Sequence, residues 1–180
     1  MTNNPSKDYT LSPDEKSSSI IVYLENGIII GDAILKESIR YTSTWLRTNA
    51  APETIFLRKA KMIYISADAK PKAMTFDQIF VVTADLLAYH LLPPAREPLD
   101  FDPDEPNRRM VPITILLGKF RIDGKIRISQ QVEVKKALEI SREEYKSIYD
   151  ANIYCPIMPA LGVVNVPMLL VRQSKAIFAE

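Results

Sequence analysis

The sequence predicts a mainly β or α+β protein made of two tandem β-β-α-β-β repeats, which form small barrel-like or sheet units packed together. Three observations predict this fold class. A proline-rich segment interrupts the middle of the chain, the segments on either side of it align with each other, and each begins with a β-hairpin signature. A composition of 47% hydrophobic and 25% charged residues is typical of a folded globular protein.

The proline-rich segment divides the 180 residues into four regions. We expect a flexible N-terminal tail over residues 1–19, a first repeat over residues 20–92, an acidic linker over residues 93–109 and a second repeat over residues 110–180. Five prolines in the linker remove amide donors and forbid a continuous helix or central strand. A repeat of this size buries little core alone, so the two repeats are expected to pack on each other.

The first repeat starts with two β-rich runs around Asn26-Gly27, which is a hairpin signal. Partial helical spacing follows over residues 39–46, and two further strands are predicted over residues 55–65 and 79–92.

The second repeat has its hairpin signal at Gly118-Lys119. A short helix is predicted around Val134, Ala137 and Leu138, and a further helical turn after the capping-box pattern of residues 141–144. The last strands are predicted over residues 153–158 and 162–172. Laying Gly31 on Gly124 aligns the two hairpins, and we expect both glycines to permit a bend or a close backbone approach within a strand.

The two hairpins differ on their outer faces. Ile28, Ile30 and Ile34 make this face apolar in the first hairpin, whereas Arg121 and Asp123 occupy it in the second. A large apolar face is rarely left bare, so either the rest of the chain or a second subunit covers it. The three isoleucines are therefore interface candidates.

The second hairpin presents the best polar surface in the chain. Arg109, Arg121, Lys125 and Arg127 are basic-face candidates for binding RNA or an acidic protein. Simple solvation is the alternative, because exposed strand faces are commonly charged. A formal net charge of +1 makes a general nucleic-acid binder unexpected.

These residues carry two resemblances. The hairpin of the form I-x-G-x-I, the strand with Ala60 or Ala151, and the closing Val163-Val164-Asn165 resemble a small bacterial β-rich domain family of uncharacterised function. That resemblance covers both halves and implies a duplicated β-rich bacterial protein, with no catalytic residue to carry over. Asn26-Gly27 followed by Gly31 is also similar to Sm-like barrels, in which a glycine within a bent strand follows such a turn.

Enzyme signatures are absent from the sequence. No phosphate-binding, dinucleotide-binding, nucleophile-elbow or zinc-protease motif occurs. His90 lies in an apolar run and is expected to be structural, with a general base as the alternative. Cys155 is expected to be a small buried hydrophobe, with a nucleophile as the alternative. We therefore expect no catalytic residue, no metal site and no cofactor.

The functional expectation is a non-enzymatic structural or interaction module that forms a homo-oligomer or binds another protein. The alternative is an Sm-like module that binds RNA or a small ligand. No apolar run reaches the ~20 residues of a spanning helix, and no secretory signal is recognisable, so the expected location is the cytoplasm.

Overall fold

A computed structural model describes residues 9–42, 51–65 and 72–180 of the chain. Within these residues, ten antiparallel strands form one open sheet, accompanied by one α-helix and three short 3-10 helices. The mainly β class is thus confirmed.

Each half of the chain contributes five strands. The first half contains β1 (Glu15–Leu24), β2 (Gly27–Lys36), β3 (Thr54–Tyr64), β4 (Lys72–Val82) and β5 (Ala88–Leu91). The second contains β6 (Arg108–Leu117), β7 (Phe120–Ser129), α1 (Val134–Ile140), β8 (Tyr145–Tyr154), β9 (Val163–Arg172) and β10 (Ala176–Ala179). The order across the sheet is β10-β6-β7-β8-β9-β5-β1-β2-β3-β4. Five neighbouring strands therefore come from each half, in the same relative order.

Several element boundaries differ from the expectations. Residues 15–19 belong to β1 and not to a tail, and the apolar run of residues 79–92 divides into β4, a 3-10 turn and β5. The predicted helical turn after residue 144 is instead the start of β8, and β10 was not predicted. The second-half helix is confirmed as α1. Half of the predicted first-half helix, residues 43–46, lies outside the described residues, and residues 39–42 are not helical.

The two predicted glycines lie beside matching irregularities. The β2·β3 register shifts between Ile30 and Asp32, and the β7·β8 register shifts between Asp123 and Lys125. A Cβ on Gly124 would come 2.7 Å from Ile148 Cγ2, and one on Gly31 would come 3.1 Å from the Arg58 carbonyl oxygen. A close approach at both glycines is thus confirmed.

The same two bulges contain the two non-glycine residues with a left-handed backbone among those that the structure describes. Lys59 has φ 47° and Asp150 has φ 48°, and they occupy the unpaired position of β3 and β8. Two bulges with the same position and conformation bend both halves of the sheet in the same way.

The buried side chains form two clusters that both halves share. The second-half cluster surrounds residues such as Ile115 and Ile122 but also includes Tyr23 and Ala88 from the first half. The first-half cluster includes Leu170 from β9, as well as Tyr145. Each half therefore completes the core of the other.

The halves join where β5 pairs with β9. Ala88 lies opposite Val171 and Tyr89 opposite Leu170, and the Arg172 amide donates to the Leu87 carbonyl at 2.8 Å.

The buried Arg172 side chain reinforces this junction. Its Nε donates to the Leu86 carbonyl at 2.8 Å and its Nη2 to Tyr145 Oη at 2.6 Å, and its Nη1 pairs with Glu144. Its Nη2 also donates to the Thr83 carbonyl, so two charge-assisted hydrogen bonds, to Leu86 and Thr83, tie the end of β9 to the first half.

Candidate functional site

The outer edge of β4 is the first candidate surface. β4 is eleven residues long, contains no proline, and forms one end of the sheet among the described strands. The side chains of Met74, Phe76, Phe80 and Val82 are all exposed, and Phe80 most of all at 69%. A long apolar edge strand with unpaired amide and carbonyl groups is a template for pairing with another chain.

The outer edge of β10 is the second candidate surface. This four-residue strand forms the other end of the sheet. Ile177 is 65% exposed and lies opposite Leu116 of β6, which is also exposed. Within the described part of the chain, both outermost strands therefore pair with another strand along one edge only and carry exposed apolar side chains.

The first predicted interface lies elsewhere. Ile28 is buried in the cluster that centres on the second half, Ile30 packs against that cluster, and Ile34 is half-buried. The rest of the chain therefore covers most of this apolar face at Ile28 and Ile30. The structure does not bring these residues together with the two outer strands.

The predicted basic face is paired with acidic groups at three of its four positions. Arg121 lies 3.2 Å from Asp123, Lys125 lies 2.8 Å from Asp150, and Arg127 lies 2.7 Å from Glu105. The fourth residue, Arg109, donates to the Val132 carbonyl at 3.3 Å. The carboxylates offset much of the field that an RNA backbone would need.

The acidic linker supplies part of this pairing. Phe101 lies under the Arg127 guanidinium at 4.4 Å, and Asp100 accepts hydrogen bonds of 2.6 Å from Ser147 and Tyr149. The guanidinium of Arg127 holds the pKa of the Glu105 carboxyl below its usual value. The linker is thus a strap laid over the second half.

A groove lies beside this strap, between β7, α1 and the start of β8. Its cavity measures about 330 Å³. The lining combines apolar residues such as Ile126 and Ile140 with cations, among them Arg108, Arg127 and Lys146. Lys146 is paired with Glu143 at 2.8 Å and Arg108 with Glu105 at 3.3 Å. The groove is amphipathic, and these two cations, like Arg127, already have anionic partners.

His90 is buried, and both ring nitrogens have partners. Nδ1 lies 2.8 Å from the Leu91 carbonyl, which can only accept, so Nδ1 carries the proton and Nε2 accepts from the Tyr23 hydroxyl at 3.0 Å. Burial lowers the pKa of His90 to about 4, because the apolar surroundings disfavour the imidazolium. Burial also raises the pKa of Tyr23.

Cys155 is buried as well, and it packs in the second-half cluster. It lines a small apolar cavity of about 50 Å³ together with Tyr23 and Ile28. Among the described residues, no group of three or more His, Cys, Asp and Glu side chains is arranged to hold a metal ion.

Sequence reasoning missed the residues of both outer strands. The alternation of Met74, Phe76 and Phe80 was a usable signal for an exposed apolar strand face. No comparable signal marks the four-residue β10, since only its pairing with β6 makes it an edge.

In the part of the chain that the structure describes, no helix combines the length and apolar character needed to cross a membrane. Comparisons with protein-family models, with curated proteins and with solved structures find no match to this chain.

Proposed function

We propose that this protein is a non-enzymatic structural or interaction module that self-associates through the ends of its sheet. The observation that carries the proposal is the exposure of Phe80 and Ile177 on the two outermost strands, beside unpaired backbone groups. Monomeric proteins usually blunt such edges with lysine, proline, bulges or covering loops. Apolar exposure at both edges is typical of an association surface.

The internal correspondence of the halves supports a duplicated architecture. Strand order, the position of the bulge and the left-handed residue agree between them. We infer that the chain is a tandem repeat whose two units already associate side by side through β5 and β9. The proposal includes the cytoplasmic location expected from the sequence.

Light scattering coupled to size exclusion tests this function over a range of protein concentrations. A mass above that of one chain, rising with concentration, is the expected result. The mass of a single chain at every concentration would contradict the proposal.

The amphipathic groove favours a second candidate, the binding of a small anionic ligand that has an apolar part. Arg108, Arg127 and Lys146 would exchange their ion pairs with Glu105 and Glu143 for contacts with the anionic group, and Ile126 and Ile140 would contact the apolar part. Thermal-shift measurements with a fatty-acid or aryl-phosphate set test it, and Arg127→Gln is the matched variant. Stabilisation of the parent and not of the variant would support this candidate.

The predicted RNA-binding alternative has its own readout. Addition of single-stranded RNA at low and moderate salt would shift the mass in a salt-dependent manner if phosphates were bound. Association that is indifferent to RNA favours the self-association proposal.

A further inference from the structure

We infer that β10 of one copy pairs with β4 of a second copy, antiparallel and head to tail, in the register that β5 and β9 already use within the chain. This inference rests on the proposed self-association and names its surfaces and geometry.

The internal junction provides the template. β5 is the last strand of the first half and β9 is the fourth strand of the second half. The free strands at the two ends of the sheet are β10, the last strand of the second half, and β4, the fourth strand of the first half. The chain therefore leaves exposed the same two kinds of strand that it joins internally.

The register follows from equivalent residues in the two halves. Ala88 lies opposite Tyr23 in the first half, and Ile177 lies opposite Leu116 in the second. Tyr23 and Leu116 are equivalent residues of the two hairpins. The pair next to the turn is Leu24 with Gly27 in the first hairpin and Leu117 with Phe120 in the second, and Tyr23 and Leu116 each precede it by one residue. Ile177 is therefore the counterpart of Ala88.

The β4 counterparts follow in the same way. β4 ends at Val82 and β9 ends at Arg172, and a three-residue 3-10 helix follows each strand. This makes Val81 the counterpart of Val171 and Phe80 the counterpart of Leu170. Because Ala88 pairs with Val171, Ile177 of one copy should lie opposite Val81 of the next, and Phe178 opposite Phe80.

The burial of residues in the β5–β9 pair shows how pairing of β10 with β4 would bury the residues that are now exposed. Leu170 is 1% exposed and packs in the first-half cluster, and Ala88 is 0% exposed and packs in the second-half cluster. Their counterparts Phe80 and Ile177 are among the most exposed apolar residues described. Pairing between copies would bury both in the same reciprocal manner.

The proposed β10–β4 contact differs in symmetry from the contact of a two-fold dimer. The two surfaces are not the same, so the contact is heterologous and each copy retains one free end of each kind. Copies then grow into a filament, or into a ring if the rotation per copy closes. A closed two-fold dimer through β4 with β4 or β10 with β10 would use one surface twice.

Complementation between two edge variants tests the inference. Phe80→Lys blocks β4 and Ile177→Lys blocks β10, and both residues are exposed, so each chain should fold as the parent does. Ile157→Lys is the matched control, since Ile157 is 44% exposed in the turn after β8 and the charge change is identical. Circular dichroism melts verify folding, and Phe80→Ser with Ile177→Ser replaces either lysine variant that fails to fold.

Head-to-tail pairing predicts specific masses for the variants and for their mixture, which light scattering or sedimentation measures. Each edge variant alone should have the mass of one chain, because no complementary pair of edges remains. An equimolar mixture should form a complex of two chains and grow no further, while the Ile157→Lys control should match the parent.

Other outcomes separate the possible failures. Self-association of one edge variant alone, no two-chain complex in the mixture, or parent-like masses for both variants would each overturn the head-to-tail inference while leaving self-association intact. A parent protein that remains a single chain throughout would overturn the proposed function itself.

Discussion

At the scale of single residues, the Tyr23–His90 pair couples the fold to pH. A second proton on the imidazole would sit on Nε2 and would remove the acceptor of the hydrogen bond from Tyr23. Because the pKa of His90 is lowered in the folded state, the unfolded chain binds the proton more readily. The stabilisation is therefore complete above the unfolded pKa of about 6.5 and is lost as the pH falls toward 4.

We predict that this loss reaches roughly 3 kcal/mol near pH 4. Urea unfolding between pH 7.5 and 4 measures it as the difference in unfolding free energy between the parent and His90→Gln. Carboxylate titrations are common to both proteins and largely cancel in that difference. A difference that stays constant over this range would show that the histidine is not buried as a neutral group.

At the scale of elements, the bulges at Gly31 and Gly124 bring neighbouring strands unusually close. A methyl group at Gly124 would meet Ile148 Cγ2 at 2.7 Å and the Tyr149 carbonyl at 3.1 Å, so β7 and β8 must separate to accept it. Gly124→Ala should lower the unfolding free energy by about 1–3 kcal/mol, measured by urea denaturation.

Gly31→Ala is the matched comparison, because the new Cβ would lie 3.1 Å from both the Leu57 Cβ and the Arg58 carbonyl oxygen. We expect a smaller loss there. An unchanged unfolding midpoint for Gly124→Ala would mean that the bulge adjusts at no cost.

The same bulges explain which elements could be predicted from the sequence. β7 alternates cleanly, with Phe120, Ile122, Ile126 and Ile128 buried, and its boundaries were predictable. In β8 the bulge at Asp150 breaks the alternation, so that Ile148 and Tyr149 are both buried. The resulting i, i+3, i+4 spacing from Tyr145 imitates a helix.

The division between β4 and β5 was hidden for a different reason. The run from residue 79 to residue 92 contains neither glycine nor proline, and the turn at Thr83–Asp85 is held by the tertiary hydrogen bond from the Thr83 amide to the Glu53 carbonyl. The exposed edge of β4 could not be predicted from local sequence for the same reason. Whether Phe80 is covered depends on which strand pairs with β4, a non-local fact that local pattern does not contain.

At the scale of the whole molecule, each half depends on the other for its core. Tyr23 and Ala88 pack in the second-half cluster, and Leu170 packs in the first-half cluster. We predict that residues 1–98 and residues 104–180, expressed separately, give aggregated or poorly folded fragments, measured by circular dichroism melts. Two soluble fragments with cooperative melts would contradict this, and co-expression of the pair should restore the folded complex.

The connection between β5 and β6 makes the internal β5–β9 joint depend on concentration differently from the proposed β10–β4 joint. Residues 92–107 keep β5 and β9 in one molecule, so this joint forms at an effective concentration that a short tether places near the millimolar range. The proposed joint between β10 and β4 has no tether and follows mass action. Dilution should therefore dissolve an assembly into intact single chains. A proteolytic cut within the strap would place the internal joint under mass action too, so a nicked chain would fall apart only as it is diluted.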